Sequence, residues 1–314
     1  YNLNLAIPYD SEPVSLRLNS SLLGITSAWP MPLKKPRDTP VSFLASSRLS
    51  DDDLSVEISL SGEPISDTNA TIYIEKGAFK AADVRVGNNK VGHNTGDVAK
   101  LTGLHVNASV DDVAVETWVD FVGKTFAKVD QLGNSSTLVS QDKPDFSLSS
   151  VVVAAKRLNA YGQMFPNLNV GIKPSASVSE DWLIDIEGKS AKGRVILAND
   201  EQPISLNFDH LVLDTNHDRA PAAQVQQKSN VEPQFIPSMN FSVEKLTLNN
   251  QMLGRWTLAA ESNDQGILFN NILGRTNGSD ISGRLDWKCI DSDHSSRLTI
   301  NATGGNAEPL FASF

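Results

Sequence analysis

The sequence predicts a mainly β protein that repeats one amphipathic sheet unit and carries a single helix. Three observations support this reading. In the block from Val151 to Leu213, Trp182, Ile184 and Ile186 alternate with Leu183, Asp185 and Glu187, and Ile204, Leu206 and Phe208 alternate with Ser205, Asn207 and Asp209. A two-residue period with one oily and one wet face is the mark of a half-buried strand. The same order partly returns from Phe241 to Lys288, through FSVEKLTLNN, Gly254, RWTLAA, SNDQG, ILFNNIL and SGRLDW. The third observation is a single change of period, between Asp111 and Leu132. A chain that multiplies an amphipathic sheet is usually building a surface rather than one active site.

Taken in order, the first hundred residues read as strands: Val14, Leu16 and Leu18, then Leu54, Val56, Ile58 and Leu60, then Ile72 and Ile74, then Val84 and Val86. The turn sequences SEP, SGEP, EKG and GNN separate them. The segment from Ala28 to Pro40, AWPMPLKKPRDTP, holds four prolines. It cannot lie inside a sheet and reads as an edge crossing or an ordered loop, with Lys34, Lys35 and Arg37 solvated. Trp118, Phe121, Val122, Phe126 and Val129 recur at three and four residues and predict one amphipathic helix over 112–132. Asp111 or Asp112 is placed to cap its start and Gly133 with Asn134 to end it. The helix is expected to pack on the sheet or plug one end. Four stretches follow: 1–145 as a β segment with the helix, 146–213 as a repeat-like β unit, 214–237 as a polar linker, and 238–314 as a second repeat-like unit cut short at its C-terminal end.

The chain has 314 residues, 40% hydrophobic and 20% charged, enough to bury a core, and its formal net charge of -10 removes the basic footprint expected of a nucleic-acid binder. Cys289 is the single cysteine, so no internal disulfide forms. The opening YNLNLAIPYD lacks the basic start and apolar run of a signal peptide, and the chain reads as a segment of a longer protein. Gly188, Lys189 and Ser190 spell the end of a phosphate loop, but its partner glycine would fall at Leu183, and the residues lie between two strands. The five histidines have no metal-ligand spacing, and neither Asp51 to Asp53 nor Asp291, Asp293 and His294 has the glycine and distal glutamate of a calcium loop. No GxSxG elbow occurs. No catalytic residue, metal site or cofactor is expected.

Several stretches, in order along the chain, carry a family resemblance: LLGITSAWPMPLKKP, IEKGAFKAADVRVG, GLHVNASVDDVAVETWVDFV, LNAYGQMFPNLNV with DWLIDIEGKSAKGRVIL, and LNNQMLGRWTLAAESNDQG with ISGRLDWK. Together they resemble the AsmA-like superfamily of Gram-negative bacteria, in its YhdP-type branch of large periplasmic proteins anchored in the inner membrane. The resemblance implies a long, curved, mostly antiparallel sheet forming an open groove of half-pipe or β-taco type. It further implies a bridge-like protein that moves phospholipids between inner and outer membrane, noncatalytic and periplasmic, with its anchor and its contacts to components of both membranes outside this chain.

That expectation agrees with the physics. A buried methylene is worth about 0.8 kcal/mol, so two acyl chains in water cost on the order of 20 kcal/mol, and a carrier must offer a continuous apolar strip. Roughly sixteen to twenty strands at about 4.8 Å each would supply one. The expected lining for acyl chains is Trp182, Ile184, Ile186, Ile204, Leu206, Phe208, Leu54, Val56, Ile58, Ile72, Ile74, Trp256 and Leu258. The same alternation also fits a closed sandwich core. An envelope scaffold and a carbohydrate-active β enzyme are the rival functions.

Overall fold

The computed structural model describes residues 1–314 except 10–12, 51, 88–97, 123–146, 176–180, 198–201, 215–232, 234–235, 277, 291–292 and 305–314. The fold is mainly β, with two compact units, Tyr1–Lys173 and Pro174–Phe314. In the first unit the strands are β1 (Asn2–Ala6), β2 (Val14–Ser20), β3 (Ser42–Ser50), β4 (Asp53–Ser61), β5 (Thr68–Glu75), β6 (Ala78–Val86), β7 (Gly103–Ala114), β8 (Leu148–Ala160) and β9 (Gln163–Pro174), the last of which reaches the unit boundary. The second unit holds β10 (Trp182–Glu187), β11 (Ala191–Leu197), β12 (Ile204–Leu213), β13 (Met239–Leu248), β14 (Gln251–Asn263), β15 (Gly266–Thr276), β16 (Ser279–Ile290) and β17 (Asp293–Gly304). Within each unit, every strand pairs with its neighbour in sequence, and neither sheet closes into a barrel.

The sheets are mostly antiparallel, as the sequence predicts. Three hairpins turn on two residues that both have positive φ, Lys76–Gly77, Tyr161–Gly162 and Asn249–Asn250. That backbone twist matches the twist of the flanking strands. The parallel pairs are β6–β7, β7–β8 and β12–β13. A parallel neighbour requires the chain to cross back over the sheet, about a dozen residues or more. The three pairs accordingly fall at long connections, residues 87–102, 115–147 and 214–238. Most of the polar stretch 214–237 lies outside the described residues; within it Pro233 is fully buried.

The helix starts later than its periodicity suggests. Strand β7 continues through Ala114, and α1 is described over 115–122. Asp111 and Asp112 are therefore strand residues, not helix caps. The competing interaction is cross-strand: Lys156 pairs with Asp111 at 2.7 Å and Arg157 pairs with Asp112, one strand away on β8. Phe126, Val129, Gly133 and Asn134 lie outside the described residues. Trp118 and Phe121 of α1 meet Trp29 of the proline-rich loop, with ring centroids 6.4 and 5.3 Å from it, and the Trp118 indole N–H donates to the Met31 carbonyl at 3.1 Å.

That loop is ordered, and one of its three basic residues is not solvated. Lys35 is 3% exposed, because its ammonium donates to the carbonyls of Ile25 at 2.7 Å and Pro36 at 3.1 Å. These bonds satisfy the buried charge and tie the loop to itself.

Two strands contain an offset that keeps one face apolar. In β12 the apolar residues run Ile204, Leu206, Phe208 and then Leu211, Leu213; in β13 they run Met239, Phe241, Val243 and then Leu246, Leu248. The two-residue period slips by one in both. The registers slip at the same level, between Lys192 and Gly193 opposite β12 and between Val243 and Leu246 in β13. A β-bulge inserts one residue and restores the side-chain phase. Leu211 and Leu246 thus stay on the face of Phe208 and Val243.

Candidate functional site

The candidate site is a face, and paired residues in adjacent strands share it. In the first unit one ladder row crosses all nine strands: Leu3, Leu18, Ala45, Ile58, Ala70, Val84, Val106, Val151 and Ile172. The neighbouring row on the opposite face reads Asn4, Arg17, Ser46, Glu57, Thr71, Asp83, His105 and Ser150. In the second unit an apolar row crosses all eight strands: Ile186, Gly193, Phe208, Val243, Trp256, Gly274, Ile281 and Ala302. Its counterpart on the other face reads Asp185, Arg194, Asn207, Ser242, Thr257, Leu273, Ser282 and Asn301.

Every residue expected to line a groove falls on such an apolar face. In the first unit Leu54 pairs with Ile74, Val56 with Ile72, and Ile58 with Ala70. In the second, Ile184, Val195, Leu206, Phe241 and Leu258 form one row, flanked by Trp182 opposite Leu197 and Ile204 opposite Met239. The expected lining left out other residues of the face, including Val84, Val106, Phe241 and Ile281. Their signal is the same two-residue alternation, and only the register shows that it continues from strand to strand.

Two glycines make room for rings on this surface. A Cβ on Gly274 would meet three carbons of the Trp256 indole at 2.8 Å, and one on Gly193 would meet Phe208 Cδ1 at 2.8 Å. The Trp256 ring therefore lies over the Gly274 backbone, and at Gly193 the β12 backbone itself also comes close, with the Asn207 carbonyl oxygen beside the Cβ position. Phe208 and Phe241 pack with centroids 5.9 Å apart.

Electrostatics separate the two faces. In the second unit the ion pairs Asp185–Arg194 (2.6 Å), Arg275–Asp280 (2.8 Å) and Glu244–Arg255 (3.3 Å) all belong to the polar face. Among the described strand residues of that unit, the apolar face carries no Asp, Glu, Lys or Arg. Most of its central side chains, including Ile184, Leu206, Phe241 and Leu258, are half-buried rather than sealed. Strand packing runs between ladder neighbours, so each described sheet is one layer thick.

The first unit contains a comparable slip. The buried side passes from Val110 to Val113 in β7, from Ala155 to Leu158 in β8 and from Leu168 to Phe165 in β9, where the ladder skips Lys156 and Asn167 has a positive φ, so the exposed Asp112 and Arg157 lie off the apolar face. The Arg157 Nε and Nη2 groups both donate to the Asp112 carboxylate. Those bonds hold the Asp112 carboxyl below its ordinary range and push the guanidinium further above its own. The run Leu104, Val106, Ala108, Val110 resumes at Val113, the partner of buried Leu158.

Among the described residues no three His, Cys, Asp or Glu side chains gather as a metal site, and no helix is long and apolar enough to cross a membrane. One-layer sheets with an unbroken apolar face define a class of proteins that offer extended surface to apolar ligands. The chain belongs to the YhdP protein family, whose model matches residues 1–314. Membership supports a lipid-transport-related, bridge-like protein at the family level, in a family that is envelope-associated and not a known enzyme family. No curated protein and no solved structure matches the chain.

Proposed function

We propose that this chain is a noncatalytic, periplasmic segment of a bridge-like protein that carries phospholipids between inner and outer membrane, with acyl chains lying on the apolar faces. In the complete protein, the inner-membrane anchor and the contacts with both membranes belong to other segments. The observation that supports the reading is the half-exposed apolar face, free of charge among the described strand residues of the second unit. Acyl chains that leave water gain about 0.8 kcal/mol per methylene on such a surface, wherever along it they sit. A buried charge would interrupt passage by its desolvation cost. The polar headgroup needs no matching site along the way, because it can stay in water. An envelope scaffold would use the same sheet but has no need of a half-exposed apolar face.

The test is photo-crosslinking in the complete protein within cells. A photoreactive residue at position 184 or 206 is expected to capture phospholipid, and one at 185 or 207 is not. Equal labelling of the two faces, or none on either, would refute a lipid track.

A further inference from the structure

We infer that the proline-rich loop, residues 21–41, and α1 together form a stopper that closes one end of the first unit's apolar face, so that acyl chains enter this face from its other end. The ligand in this inference rests on the lipid-track reading; the closure does not. On a flat sheet the five strand steps from β2 to β7 would hold the loop and the helix about 24 Å apart. Trp29 of the loop nevertheless meets both Trp118 and Phe121 of α1. The loop therefore reaches across the ends of β3 to β6. It is tied along that path: the Val41 N–H donates to the Ser21 carbonyl at 2.8 Å, the Ser66 N–H between β4 and β5 donates to the Pro32 carbonyl at 3.2 Å, and the Trp118 indole donates to Met31. The helix carries the line further, because the Glu116 carboxylate accepts the Tyr161 backbone N–H of the β8–β9 turn.

Burial follows the same line. In a sheet one layer thick, a Val or Leu side chain loses its access to solvent only where something lies over it. At the end that the loop and α1 span, Val86, Val110, Ala155 and Leu168 are 5%, 6%, 4% and 3% exposed, and Val41, in phase with Phe43, is 1% exposed. Ile58, Val84, Val106 and Val151, further along the same strands, are only half-buried, and so are Leu54, Ile74 and Leu104 at the opposite end. The face is thus sealed at one end and open at the other. The outer side of the stopper is apolar as well, since Leu23, Ile25, Trp29, Met31 and Val119 are at least half exposed. Its seam with the helix is made by ring contacts and an indole hydrogen bond instead of a strand ladder. Such a seam can part while the sheet stays folded.

The experiment follows methyl resonances of the 314-residue chain in the presence of two paramagnetic probes. One is a soluble nitroxide; the other is a phospholipid with a nitroxide near the end of one acyl chain, delivered from phosphatidylethanolamine–phosphatidylglycerol vesicles that are then removed. In the native chain both probes are expected to erase the signals of Leu54 and Val106 and to spare those of Val110 and Leu168. Trp29→Ala combined with Trp118→Ala parts the seam and should cost the Val110 and Leu168 signals too. Glu116→Ala frees α1 from the β8–β9 turn with the rings kept, and a smaller loss of the same two signals is expected. Val119→Ser, on the exposed side of α1, should leave the native pattern unchanged. Melting temperatures confirm that each variant folds. Equal loss at both ends of the native face, or Val110 and Leu168 still spared in both opening variants, would overturn the stopper. The expected pattern with the soluble nitroxide, together with no effect of the lipid probe on any variant, would keep the stopper and remove the lipid track.

Discussion

At the scale of single residues, Tyr73 gives the polar face a measurable signature. Its phenol O–H donates to Asp53 Oδ2 at 2.7 Å, and this bond to a carboxylate is the main reason its pKa rises from 10.0 to about 12. Burial and the negative charges of Asp53 and Glu75 push the same way, while Lys80 sits 5.5 Å from the ring centre. The neutral phenol is the form that the fold favours. Its contribution is therefore complete below the unfolded value near 10 and is lost as pH rises through about 12. An ultraviolet phenolate titration is expected to show one of the four tyrosines ionising last. Asp53→Asn should bring that group back toward 10, the ordinary phenol value. A late group that persists in the variant would mean that Asp53 is not the cause. Tyr73 also shows what alternation makes legible: its place opposite Ile72 and Ile74 is readable from sequence, but its partner lies 20 positions away and is set by the β4–β5 register.

At the scale of elements, the matched bulges in β12 and β13 decide whether the apolar face continues. Both strands slip their period at the same level, and they are parallel neighbours in register, Phe208 beside Val243 and Leu211 beside Leu246. Deletion of Lys245 brings Val243 and Leu246 to the ordinary two-residue spacing, so Leu246 and Leu248 keep their face, but it removes one of two matched bulges while the other stays in β12. It is thus expected to disturb the β12–β13 pairing and to lower stability, read by denaturant unfolding. A matched deletion of Asp209, the unpaired residue of β12, should recover part of the loss by restoring the common register. Failure of the double deletion to recover any of it would show that the two bulges are independent. The helix teaches the reverse lesson. Its aromatic spacing gave its existence, but an acidic pair before an apolar stripe reads equally as a cap or as the end of a strand. Only the arrival of Lys156 and Arg157 opposite Asp111 and Asp112 resolved that ambiguity.

At the scale of the whole molecule, the property that matters is continuity of one face through many strands. A charge on the apolar face should therefore act quite differently from a charge one residue away. Leu206→Asp or Phe241→Asp is expected to cut capture of phospholipid from vesicles at least tenfold. These side chains are half-buried, so the chain should still fold, with a loss of about 1 to 3 kcal/mol. Asn207→Asp and Ser242→Asp, on the polar face, should change capture by less than about twofold. Similar losses from both sets would remove the distinction between the faces. The sequence by itself determined the β class, the two-residue faces and the existence of the helix, because these follow from local periodicity and turn chemistry. It also selected Trp182, Ile184, Ile186, Leu54 and Val56 as members of an apolar stripe. Tertiary structure alone decided that the stripes align into rows across whole units, that Lys35 is buried, and that Asp112 pairs with Arg157 across β7 and β8. Each of those depends on register, and register couples residues tens of positions apart through hydrogen bonds that no local pattern encodes.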